Sequence, residues 1–133
     1  VTDITEYVIN AVVARLKSQV SDVTDRVYFE PPQKTIFPYI QFNFTVEALP
    51  IKDRDALNYI ITFNTYAQRG SNGALVEATR IAKKIYDALD GYNLSLSQGS
   101  AYSCTHDGFS TAFTAEDGRT VVHVSRFKIL TTN

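Results

Sequence analysis

Two runs of strict alternation lie close together in this chain, and they constrain its fold more than anything else in it. "YIQFNFTV" sets Ile40, Phe42, Phe44 and Val46 against Tyr39, Gln41, Asn43 and Thr45, and "ALNYIITFNTYAQ" sets Tyr59, Ile61 and Phe63 against Ile60, Thr62, Asn64 and Tyr66. A period of two carries every second side chain to the same side of a strand, so each run reads as a half-buried strand with one apolar face. The opposite face is polar and aromatic. Tyr, Asn and Thr combine apolar area with hydrogen-bonding groups, which makes such a face wettable yet adhesive.

The chain on either side has a different period. In "TDITEYVINAVVARLKSQV" the residues Ile4, Val8, Val12, Leu16 and Val20 recur at four, with Tyr7 and Ala11 beside them, which draws one apolar stripe along a helix. Asp3 followed by Glu6 is a capping-box pattern for its first turn. A second helix is written in "SNGALVEATRIAKKIYDALDG", where Leu75, Ala78, Ala82, Ile85 and Leu89 form the stripe, Ser71 or Asn72 can cap the start, and Gly91 suits a left-handed C-terminal turn. Next, "AYSCTHDGFSTAFTAEDGRTVVHVSRFKIL" reads as a strand with a turn or bulge at Asp107 and Gly108, a tight hairpin at Asp117 and Gly118, and a closing strand with apolar residues on both faces of its first half. Segregated strands with two one-sided helices predict an α+β two-layer sandwich, an antiparallel sheet with both amphipathic helices packed on one face. At 133 residues, with no linker, repeat or low-complexity stretch, residues 1–133 are expected to form a single domain.

The entry into the first alternating run is punctuated by prolines: "RVYFEPPQKTIFPYIQFNF". Proline lacks an N–H and fixes φ, so Pro31 and Pro32 cannot sit inside a paired central strand, and Phe37 is pushed toward extended geometry by Pro38. The stretch predicts a short strand near Arg26 to Phe29, an extended connection, and a longer strand entered through Pro38.

Charge and composition exclude several classes. Thirteen Lys plus Arg against 14 Asp plus Glu give a formal net charge of -1, so no global field draws the protein to nucleic acid or to an anionic membrane. No run approaches the roughly 18 apolar residues of a membrane span, and "VTDITEYV" lacks the basic start and apolar stretch of a signal peptide. A lone Cys104 rules out an intrachain disulfide and fits a reducing compartment, with synthesis in a cytoplasm as the expectation.

Candidate chemistry is sparse. His106 and His123 should lie on neighbouring strands, but about 11 and five residues from the turn between them, so they are not expected to face each other. Cys104 has no CxxC partner or basic cluster and reads as a strand thiol rather than a nucleophile. Asp53 and Asp55 in "IKDRDAL" lack the Gly and terminal Glu of a calcium loop, and "QRGSNG" lacks the Lys-Ser/Thr ending of a phosphate-binding loop. No convergent polar group stands out, so no catalytic, cofactor-binding or metal-ligating residue is assigned, and a binding or assembly role is expected rather than an enzyme.

Taken together, the motifs resemble the tail terminator, or tail-completion, proteins of long-tailed bacteriophages. The resemblance rests on the Arg26-Val27-Tyr28 strand, the Pro-containing connection, and Phe37-Pro38-Tyr39 opening the next strand. It continues through "ITFNTYAQRGSNG", "ALVEATRIAKKIYDALDG" and the last hairpin with Asp117-Gly118-Arg119-Thr120, and so spans nearly the whole chain. It implies a non-enzymatic virion protein at the head-proximal end of the tail. There it would form a homohexameric ring that stops tube polymerisation and offers the surface for head attachment. The implied partners are further copies of itself, the tail tube protein and a head-completion or connector protein. DNA is met only in transit through the lumen, and no membrane is involved.

A closed head-to-tail ring needs two different lateral patches on each subunit. One candidate is the Pro-rich connection and its borders, Tyr28, Pro31, Pro32, Phe37, Pro38 and Tyr39, and the other is part of the polar-aromatic face, with Asn64 and Tyr66. The charged segment "EALPIKDRDAL", with Glu47, Lys52, Asp53, Arg54 and Asp55, is expected to be a loop turned toward the tube or lumen. The alternatives are another head–tail joining or tube ring protein, and a small-ligand-binding α+β domain using the open sheet face.

Overall fold

The two alternating runs become adjacent strands of one sheet. The computed structural model describes residues 4–23, 25–51, 54–68, 73–97, 99–102 and 104–132. In chain order these form helix α1 (Thr5–Gln19), a 3-10 turn (Ser21–Val23), strands β1 (Val27–Tyr28), β2 (Tyr39–Ile51) and β3 (Arg54–Gln68), helix α2 (Gly73–Leu89), and strands β4 (Ser100–Ala101), β5 (Thr105–Thr114) and β6 (Thr120–Thr132). The six strands make one sheet in the order β1-β2-β3-β6-β4, with β5 also paired to β6, and the fold is α+β. All pairings are antiparallel except β1 with β2, where Val27 lies beside Ile40 and Tyr28 beside Gln41 in parallel. The Pro-containing connection is long enough to carry the chain back to the start of β2. The Phe37–Pro38 peptide bond within it is cis.

Both helices cover the face predicted from the alternation. Val8, Val12 and Leu16 of α1 and Ile81, Ile85, Ala88 and Leu89 of α2 share one buried cluster with Ile40, Phe42, Tyr59, Ile61, Phe63, Phe127 and Ile129 of the sheet. Close packing of this kind is where most of the apolar area leaves water, at about 25 cal/mol per Å². One expected member is missing: Leu75 is 52% exposed, and Ala74 takes the inward position at the start of α2. Ala74, Ala78 and Ala82 are all buried, so this helix meets the sheet through small side chains and its first turn directs the larger Leu75 and Val76 outward.

Helix ends follow local rules where they can be described. Gly91 has φ +77, the left-handed geometry expected of a residue just past a helix. Helix α1 is preceded by Ile4, with no side-chain capping bond, and the proposed capping residues Asp3, Ser71 and Asn72 lie outside the described residues. Gly99 is under tighter constraint. Its φ is +80, and a Cβ there would stand 3.0 Å from both the Thr132 carbonyl oxygen and the Ile4 Cδ1.

The segment expected as the loop 47–57 is a strand pair instead. β2 and β3 remain in one-to-one register from Tyr39–Tyr66 to Ile51–Arg54, including Pro50 opposite Asp55. Proline is tolerated because β2 is an edge strand beyond its short pairing with β1, so the missing N–H costs no ladder bond on the outer side. Exposure rises along the inward-facing residues of β2, from Ile40 at 0% and Phe42 at 3% to Val46 at 42%. This exposure reflects the edge position of β2, since β3 stays paired with β6 as far as Ala56 and only 50–51 and 54–55 extend beyond β6 as two strands.

At the other edge, the bulge expected near Asp107 and Gly108 is present. Register shifts between His106 and Ser110, and Gly108 has φ +72. The predicted hairpin turn also forms. The Asp117 carboxylate accepts bonds from the backbone N–H groups of Arg119 and Thr120 and from the Thr120 hydroxyl, all at 2.7–2.8 Å, and these hold its pKa down at about 2.

Candidate functional site

Directly opposed residues of neighbouring strands share a face, so the register assembles the uncovered side of the sheet row by row. The first row runs from Tyr39 to Tyr66 to Val122 to Phe113, across β2, β3, β6 and β5. Tyr39 and Tyr66 stack, with ring centroids 4.8 Å apart and planes at 11°. Phe37 lies 5.3 Å and Tyr28 6.4 Å from Tyr39, extending the aromatic band onto the Pro-rich connection. Partial burial, with the Tyr66 phenol nearby as a lesser cause, pushes the Tyr39 hydroxyl above its ordinary pKa, so it stays neutral.

The next rows become progressively more polar. Gln41 faces Asn64, whose side-chain Nδ2 donates to Gln41 Oε1 at 2.7 Å, and Val124 and Thr111 complete that row. Asn43 and Thr62 lead to Arg126, which bonds Asp107 at 3.0 Å, and Lys128 lies 3.9 Å from the same carboxylate. The face is thus graded from aromatic at one end to charged at the other.

The structure brings together Tyr28, Phe37, Tyr39, Asn64 and Tyr66 among the residues singled out from the sequence. Pro38 is half-buried beside them, and its carbonyl accepts a bond from Arg26 Nε at 2.9 Å that ties the connection to the chain before β1. Pro31 and Pro32 are exposed on the connection, where the Pro32 carbonyl accepts a bond from the Thr35 hydroxyl. Glu47 is exposed on β2 opposite Asn58, and Arg54 and Asp55 begin β3, whereas Lys52 and Asp53 lie outside the described residues. Val122 and Phe113 were not singled out. The alternation in "STAFT" and "TVVHV" places each on a face, but only the pairing of β5 with β6 puts them in the same row as Tyr66.

His106 and His123 are not opposed, as expected: His106 pairs with Phe127 and His123 with Ala112. Both nevertheless border one cleft of about 280 Å³ on the helix side, between α2 and the β5–β6 hairpin. Burial pushes the His123 pKa down and favours the neutral ring. Cys104 has no solvent exposure, and burial, with Asp90 as a lesser cause, pushes its thiol up to about 12, which is opposite to what a nucleophilic thiolate needs. Among the described residues, no group of three or more His, Cys, Asp or Glu is placed to hold a metal ion.

A family model for tail completion protein gp17 matches residues 10–132. The chain belongs to that family. Tail completion membership makes it a structural protein of a phage-type virion tail. No curated protein matches it. Among solved structures, a chain from the virion of a native gene transfer agent particle superposes with a TM-score of 0.85 at 17% identity, covering 100% of both chains. A second superposes with a TM-score of 0.60 at 11% identity, covering 97% of this chain and 95% of the other. At those identities the likeness is one of fold. It extends over the whole chain.

Proposed function

We propose that this tail completion protein closes into a hexameric ring on the head-proximal end of the tail tube, ends tube polymerisation there, and presents the surface to which the head attaches. Family membership over residues 10–132 carries the reading. The graded open face of the sheet supports it, because stacked Tyr39 and Tyr66 with Phe37 and Tyr28 form the rigid aromatic surface that protein interfaces favour at their centres. In the ring, the aromatic end of this face and the Pro-rich connection supply lateral contacts. The far end of the β2–β3 hairpin, with Glu47 exposed on β2 and Arg54 and Asp55 at the start of β3, reaches the tube end. The reading makes the protein an assembly component rather than an enzyme. A chain of formal net charge -1 suits transit of DNA better than a basic one, which would hold its phosphates.

Negative-stain electron microscopy over a concentration series, followed by a tube-length assay with the cognate tube protein, tests it. Six-fold rings and tubes of limited length are expected. Phe37→Ala should raise the concentration needed for rings while leaving the melting temperature nearly unchanged. An equal loss of both would place Phe37 in the fold rather than in the contact.

A further inference from the structure

Two strands leave a long edge of the sheet open. β5 pairs only with β6, and from Ser110 to Thr114 it is exposed throughout, with no charge and no proline to guard it. Among the described residues, no strand pairs with its outer side. The other open edge belongs to β2, whose pairing with β1 takes in only Ile40 and Gln41, so from Asn43 onward it has β3 as its one strand partner among the described residues. The remaining strands with an open side, β1 and β4, are two residues each.

Two hydrogen bonds fix which backbone groups are free on these edges. In an antiparallel ladder a residue turns its N–H and C=O to the same side, and the next residue turns them to the other. The Ala115 N–H donates to the Thr120 carbonyl, so Phe113 and Thr111 also face β6, and Ser110, Ala112 and Thr114 face outward. The Ile40 N–H donates to the Arg26 carbonyl, away from β3, so Phe44, Val46 and Ala48 face outward in the same way. Pro50 takes the next outward position, where it has no N–H to offer and ends the run. Each edge presents three free residues in alternation.

The edges agree in face and in direction. Ser110, Ala112 and Thr114 oppose Ser125, His123 and Val121, on the side of β6 that carries Phe127 and the helices, while Phe44 and Val46 oppose Ile61 and Tyr59 on that same side. Opposed residues share a face, so joining the outward residues of one edge to those of the other keeps every helix on one side of the extended sheet. Had the alternation been out of step by one residue, it would have put neighbouring helices on opposite sides. β2 and β6 run the same way and β5 runs against both, so a copy rotated about an axis along the strands brings its β2 antiparallel to β5. The side chains fit in bulk, because Val46, 42% exposed, meets the small and exposed Ala112.

We propose that β5 of one subunit pairs antiparallel with β2 of the next, Ala112 opposite Val46, so that the sheets of the ring form one continuous band. The proposal rests on the ring reading above and specifies its lateral contact. The contact adjoins the Pro-rich connection, since Phe29 packs on Phe44 of the same edge.

Proline on either edge tests it. Ala112→Pro removes a donor that faces away from β6, so it should keep the melting transition while raising the concentration needed for rings about tenfold. Val46→Pro should do the same from the other edge. Rings that form at the parent concentration in either variant would overturn the pairing and leave the ring reading standing. Crosslinking gives the answer without a proline, should one of them disturb the fold. A protein carrying both Thr45→Cys and Thr111→Cys, exposed on the open face of the two edges, is treated with a short bismaleimide, and buried Cys104 stays unlabelled. The expected product is a ladder of covalent oligomers ending in a closed species, absent from either single variant. Rings seen by microscopy without that ladder would also overturn the pairing, and monomers at every concentration, with and without tube protein, would overturn the ring reading with it.

Discussion

The two faces of the sheet are made by the same strands and differ in almost everything else. On β3, Tyr59, Ile61 and Phe63 have no exposure and lie under the helices, while their immediate neighbours Ile60, Thr62 and Asn64 are half-exposed. The covered face is held by shape, with Phe63 packed edge-on against Phe127 at 5.8 Å. The open face is held by pairs: a tyrosine stack, an amide-to-amide bond, and an ion pair. The difference teaches where each kind of change will register. Covered residues set whether the chain folds, and open residues set what the folded chain can touch.

The sharpest way to break this contrast is to open a cavity on one side and truncate a ring on the other. Phe63→Ala should cost about 3–5 kcal/mol by denaturant unfolding, because a fully buried aromatic leaves a void that its neighbours cannot fill. Tyr39→Ala and Tyr66→Ala should each cost far less, and a double-mutant cycle between them should return a coupling of about 0.5–1.5 kcal/mol. A coupling near zero would mean that the stack is only an alignment of two independently packed rings. The smallest effect is conditional on pH. Asp22, in the 3-10 turn, pairs with Lys84 and with Arg80 at 3.2 Å on α2, and the Lys84 hydrogen bond is the leading cause that lowers its pKa from 3.8. A lowered folded-state pKa gives stability that is present above 3.8 and is lost as pH falls through the folded value. Asp22→Asn should therefore melt below the parent at neutral pH, and the gap should close only as the pH drops beneath 3.8. A gap that is constant through that range would assign the role of Asp22 to packing.

The faces themselves were legible because alternation is a local property: every residue from Tyr39 to Phe44 falls on the side its position predicts. The stripe of α1 was legible for the same reason, with Ile4, Val8, Val12, Leu16 and Val20 all buried. Leu75 misled because spacing gives a helix stripe but not its edges, and the alanines of α2 bring that helix too close for a Leu to turn inward at its first turn. The strand pair at 47–57 was hidden by composition. Pro50 and the charges around it read as a loop, and nothing local reveals that β2 is an edge strand where a proline is harmless. The parallel β1 and the cleft depend on segments far apart in sequence, joined only by the topology. The aromatic band was half legible: Tyr39 and Tyr66 are visible as members of one face, but their stacking follows from a register that only the folded hairpin fixes.

Gly99 has a consequence for how the molecule could be rewired. Its missing side chain leaves room for Ile4 at the head of the first helix and Thr132 near the close of the last strand to meet at the same point. A short peptide joining residue 4 to residue 132 there would close the backbone between them into a ring, and new ends could then be cut elsewhere, for instance at the turn held by Asp117. Such a permutant would carry a fluorophore or fusion at the distant edge of the sheet without disturbing strand order. In an assembled particle it would report the orientation of each subunit from the turn between β5 and β6.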